Sequence, residues 1–86
     1  MDINDLIKIV KKKLQKEIIL ENIDIEDKSF LHKGHPGNQQ GKFHLKIIIK
    51  SEELNKLNKI NRDRKIYKIL DEELKIHIHS LQILII

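Results

Sequence analysis

The sequence predicts an α+β domain: a three-stranded mixed sheet with helices on one face, in the order helix, strand, strand, short helix, helix, strand. Three observations point there. Apolar residues recur at helical spacing over residues 2–16 and 61–74. They alternate with polar residues around 23–26 and over 43–50. The chain has 86 residues, 40% of them apolar. That is room for one small core and no second domain, so residues 1–86 read as a single unit.

The first helix, 2–16, carries Ile3, Leu6, Ile7, Val10 and Leu14 on one stripe. Asp2 is its candidate N-cap. Lys11, Lys12, Lys13 and Lys16 lie toward its C-terminus, where the helix dipole favours cations. Residues 17–27 turn acidic, with Ile23 and Ile25 alternating with Asp24 and Glu26 as in a half-buried strand. Residues 28–41 hold Gly34, Pro36, Gly37 and Gly41 together with His32 and His35, which makes a long polar loop. In the second strand, 43–50, Leu45, Ile47 and Ile49 face one way; His44, Lys46, Ile48 and Lys50 face the other. Ser51 is placed to cap a short turn of helix. The second clear helix, 61–74, has Asn61 as its expected cap and Ile66, Tyr67, Leu70 and Leu74 as its stripe. Residues 76–86 read as a strand apolar on both faces toward its end, the pattern of an inner strand.

Composition narrows the function. There is no cysteine, so disulfides and self-contained thiolate metal sites are excluded. The longest apolar run is Ile83 to Ile86, far short of the roughly 20 residues of a membrane helix, and a secretory signal is not expected. A cytoplasmic protein is the expectation. An enzyme is not expected: no Ser/His/Asp arrangement with motif context and no phosphate-cradling Gly-rich loop occurs.

Several groups could carry chemistry. His32 and His35 sit in the Gly/Pro loop, as nitrogen donors or as solvated side chains. His77 and His79 form an HxH pair on one strand face, which suits a metal. His79 shares that face with Leu81, Ile83 and Ile85, so a packed, hydrogen-bonded role is expected for it, and a structural one for His44. Residues 56–68 carry Lys56, Lys59, Arg62, Arg64, Lys65 and Lys68 against Asp63, the most basic stretch of a chain whose net charge is +4. Lys59, Arg62, Arg64, Lys65 and Lys68 would contact phosphates if nucleic acid bound. A solvated helix face, or a dock for an acidic partner, explains the same run.

Taken together, these residues resemble the BolA family. Ser51 and Leu54 fit its serine–x–x–Phe step, and Asn61 to Tyr67 fit its Arg-His-Arg helix start. Leu70, Glu72, Glu73 and Leu74 fit Leu-x-Glu-Glu-Leu, and Ile78-His79-Ser80-Leu81 fits Ile-His-Ala-Leu. His32-Lys33-Gly34-His35-Pro36-Gly37 looks like the family's His-x-Gly-His-x-Gly loop, and Phe43-His44-Leu45 like its Ser-His-Phe. The resemblance implies a fold like the type II KH domain. It implies a non-catalytic adaptor for a monothiol glutaredoxin, active in [2Fe–2S] cluster trafficking or iron homeostasis. The chain would be a monomer alone and a heterodimer with its partner, with the cluster shared between this chain, the glutaredoxin and glutathione. On this reading His35, with His32, and Asp63 are the expected metal ligands, and Arg62, Arg64 and Lys65 the partner contacts. Asp63 stands where the family places a histidine, and a hard carboxylate oxygen is a poorer donor to such a cluster. The same resemblance implies a second role: a DNA-binding transcription regulator linked to stress response.

Overall fold

The computed structural model describes residues 2–29 and 42–86. The elements are α1 (Ile3–Glu17), β1 (Asn22–Asp27), β2 (Phe43–Lys50), α2 (Glu52–Asn55), α3 (Lys59–Ile69), α4 (Asp71–Ile76) and β3 (Ile78–Ile85). The order is the expected one, with the second long helix divided in two. The sheet runs β1-β2-β3, with β1 antiparallel and β3 parallel to the central β2.

Each element follows from local chemistry. The Asp2 carboxylate accepts the Asn4 backbone N–H at 2.8 Å, so α1 begins with a satisfied cap. Leu6, Val10 and Leu14 are its buried stripe. In the sheet, Ile23 pairs with Ile49, Ile25 with Ile47, Ile47 with Ile83 and Ile49 with Ile85. Paired residues share a face, and this one meets the helices. Ile18, Leu54, Ile66, Leu70 and Ile78 complete the core. Fully burying each such side chain contributes about 1.5–3 kcal/mol, and this one layer is the main source of stability. The opposite face carries Asp24, Glu26, Lys46, Ile48, Gln82 and Leu84, and no helix among the described residues packs on it.

Three expectations change. The cap of α3 is Asn58, whose side chain accepts the Asn61 N–H at 2.8 Å; Asn61 is already inside the first turn. The helix expected over 61–74 breaks at Leu70, whose φ of −99° and ψ of 17° leave the helical region. The break turns Leu70 into the core and aims Glu73 inward at α1. Finally, β3 is an edge strand. Its outward residue Leu84 and Ile86 just beyond it are 43% and 57% exposed, so apolar residues on both faces did not mean burial on both.

The two ends of the sheet differ. At one end lie Lys50, Ser51 and Ile86. The Ser51 hydroxyl donates to the Ile19 carbonyl at 2.8 Å and accepts the Leu54 N–H at 3.2 Å. The Ile19 N–H donates to Glu53, and the Ile86 N–H to the Ile49 carbonyl. At the other end lie Asp27, Phe43 and Ile78, and residues 28–42 join the sheet there.

Candidate metal and partner site

Three histidines gather at that second end. The Lys28 N–H donates to the His44 carbonyl at 2.7 Å, and the His44 N–H to the Ser29 hydroxyl at 3.1 Å. The Ser29 N–H donates to Asp27 at 2.9 Å. The Phe43 N–H donates to the His77 carbonyl at 2.9 Å, which ties the end of α4 to the start of β2. The roots of the 28–42 segment are therefore fixed against His44 and His77.

The register then shifts. Phe43 pairs with Ile78, but His44 pairs with Ser80, so His79 is an extra residue without a cross-strand partner. This bulge overturns the expected position of His79. In a regular strand it would face the core with Leu81; here it is exposed. Its ring lies 4.8 Å from that of His44, tilted by 59°. His44 is buried, 3% exposed, with its Nδ1 2.6 Å from the Ser80 hydroxyl. An exposed imidazole thus rests on a buried one whose own orientation a hydroxyl fixes. Among the described residues no three His, Cys, Asp or Glu side chains form a metal-binding cluster. This end can offer nitrogen donors to a metal; the other ligands would come from elsewhere.

The basic residues lie apart. α3 starts near Ser51 and runs back along the sheet: the Lys65 ammonium is 3.9 Å from Glu53 of α2, and the Tyr67 hydroxyl is 3.5 Å from the Leu81 carbonyl of β3. Asp63 lies one turn into α3, paired with Lys59 at 2.9 Å. Arg62 is half-buried, and Arg64 and Lys68 are exposed. His32 and His35 fall within residues 30–41, outside the described residues.

The sequence reading missed two features. One is the His44–Ser80–His79 cluster, whose only sequence signal is the HxH spacing. The other is the ion pair of Lys13 with Glu73 at 2.6 Å, with Glu72 3.6 Å away. Glu73 is 5% exposed, and its Oε1 has no partner among the described residues. The hydrogen bond to Glu73 raises the Lys13 ammonium above its ordinary range, against a smaller opposing effect of burial. This pair docks α4 on α1. The Glu73 carbonyl accepts the His77 N–H at 2.8 Å, which closes the last turn of α4 just ahead of β3.

Comparison with known proteins identifies the lineage. Residues 14–86 match the family described as BolA-like protein. The chain belongs to the BolA family. It is 36% identical over 73 residues to the DNA-binding transcriptional regulator BolA of Haemophilus influenzae, covering 85% of this chain and 68% of that protein. It is 37% identical over 79 residues to Protein BOLA1, chloroplastic, of Arabidopsis thaliana, covering 86% of this chain and 48% of that one. Among solved structures it is similar to the BolA domain of SufE1 from Arabidopsis thaliana, with a TM-score of 0.77 at 31% identity, covering 91% of this chain and 86% of that chain. The α+β fold with a mixed three-stranded sheet is thus that of other BolA domains. No helix among the described residues is long and apolar enough to cross a membrane.

Proposed function

We propose that this BolA-family chain is a non-catalytic adaptor. It docks a monothiol glutaredoxin and takes part in handing on a [2Fe–2S] cluster or in iron regulation. The observation that carries the reading is the bulged, exposed His79 beside buried His44, at the sheet end where the histidine-bearing loop joins. The cluster is cargo. This chain has no thiol to give it, so thiolates come from the glutaredoxin and glutathione, and this chain contributes imidazole nitrogen, a donor that iron in such clusters accepts. His79 is the donor on the described framework, with His35 or His32 as the loop's contribution. This reading gives Asp63 no cluster role, since its carboxylate is already paired with Lys59.

A titration with cluster-loaded and cluster-free glutaredoxin tests this. Backbone amides of residues 43–44 and 77–80 are expected to shift in both cases. His79→Ala is expected to shorten cluster lifetime in the complex, read from visible absorption, while Asp63→Asn leaves it unchanged. No shift with either form would end the adaptor reading. The reverse pattern of the two variants would move the ligand to the start of α3.

A second reading, a DNA-binding transcription regulator, is favoured by the name of the Haemophilus relative and by the basic α3. Replacing Arg62, Arg64 and Lys65 by Gln should then lower both the affinity and its salt dependence, because fewer phosphates are neutralised and fewer counterions released. Unchanged binding would remove α3 as the interface.

A further inference from the structure

Helices α1 and α3 flank an open cleft of about 570 Å³, lined by Lys13, Lys16, Glu17, Lys65, Lys68 and Ile69. That is within the size range of small-molecule sites. Four ammonium groups meet there. Lys13 is committed to Glu73, and Lys65 lies loosely against Glu53. Lys16 and Lys68, on facing helices, have no ion pair among the described residues.

Among the described residues, the lining has no aromatic ring, hydroxyl or side-chain amide. It cannot stack a base or read a hydrogen-bond pattern. Lysines act as mobile point charges, which suits phosphoryl oxygens at high charge density. The cationic zone is also short, because carboxylates frame it. Glu17 lines the cleft itself, Glu53 stands at Lys65, and the exposed Glu72 stands 3.6 Å from Lys13. A long polyanion threading the cleft would run past these carboxylates, whereas a short one fits between them.

We propose that the α1–α3 cleft binds a compact polyphosphate of two or three linked phosphoryl groups, held by Lys16 and Lys68 with Lys13 and Lys65 alongside. A free inorganic chain and the tail of a nucleotide share this chemistry. The site is distinct from the histidine end. It shares Lys65 and Lys68 with the basic stretch of α3 but depends on α1, which a DNA-reading α3 does not require.

The test is a titration of the full, isotopically labelled chain with inorganic tripolyphosphate, with ATP in a second arm and sulfate at matched ionic strength in a third. Tripolyphosphate is expected to give saturable amide shifts confined to residues 13–17 and 65–69. A double variant, Lys16→Gln with Lys68→Gln, should bind about tenfold more weakly, the effect of two exposed charges removed. Lys46→Gln with Lys50→Gln, on the helix-free sheet face, should bind as wild type. ATP shifting the same amides names a nucleotide tail as a source; silence with ATP leaves the inorganic chain. Equal shifts with sulfate, or an unaltered double variant, would overturn the site. A DNA duplex displacing tripolyphosphate at lower concentration would make nucleic acid the occupant and overturn the proposal as well.

Discussion

The two ends of the sheet use polar residues in opposite ways. At the Ser51 end, the hydroxyl, the Ile19 carbonyl and the Leu54 N–H satisfy one another, and Ser51 is fully buried. Its polar groups are spent on joining α1, β2 and α2. At the histidine end an imidazole is left outside on a bulge, and α4, which leads into that end, is held to α1 by a charge pair, Lys13 with Glu73. The first end is closed by hydrogen bonds among its own groups, the Glu53 carboxylate with the Ile19 N–H included. The second depends on charge and keeps nitrogen donors in reach of a ligand.

Substitutions can break this contrast. The largest expected effect is Lys13→Met, which strands the Glu73 carboxylate at 5% exposure. Loss of about 2–3 kcal/mol is expected from urea midpoints near neutral pH, below the full cost of a stranded buried charge because the Lys13 side chain is itself 36% exposed. The pair also sets a pH dependence. The folded-state value of Lys13 is raised above 10.5. Its contribution is therefore complete below the unfolded value and is lost as pH rises through the folded one. The stability gap between wild type and Lys13→Met should close in strongly alkaline urea titrations; a constant gap would mean that packing, not charge, docks α4.

Next comes Ser51→Ala, which removes the cap of α2 and leaves the Ile19 carbonyl without its donor. About 2 kcal/mol of destabilisation is expected, with no pH dependence of the difference across the same alkaline range. Asn58→Ala, at the cap of α3, should cost about 1 kcal/mol in the same assay. The smallest effect is at His79. Replacement by Ala should change stability by less than about 0.5 kcal/mol, since the side chain is exposed. A large loss there would make the bulge structural and blur the difference between the ends.

What the sequence disclosed depended on range. The stripe Leu6, Val10, Leu14, the alternation in β1 and β2 and the Ser51 cap are signals within a few residues, and each predicted its element. The break at Leu70 has no glycine or proline to announce it. The burial of Glu73 needs Lys13, on another helix, and nothing around Glu73 distinguishes it from exposed Glu72. The exposure of His79 rests on a register shift against β2, which strand periodicity alone does not contain. The candidate site was thus half legible: histidines at 77 and 79 were visible as a pair, but the placement of His79 beside His44 came only with the sheet. The expected ligands His32 and His35 lie outside the described residues.

The parallel pairing of β3 with β2 has a kinetic consequence. β1 and β2 are successive strands, but β3 reaches its place only after α2, α3 and α4 have crossed the sheet. Contacts that close such long loops form late, because the chain gives up the loop's freedom before the strand pairing repays it. Substitutions in β3 should therefore act on how fast the native state opens more than on how fast it forms. The bulge that exposes His79 sits at the mouth of this late-closing strand, so the first part of the sheet to loosen would be the part that presents the imidazole.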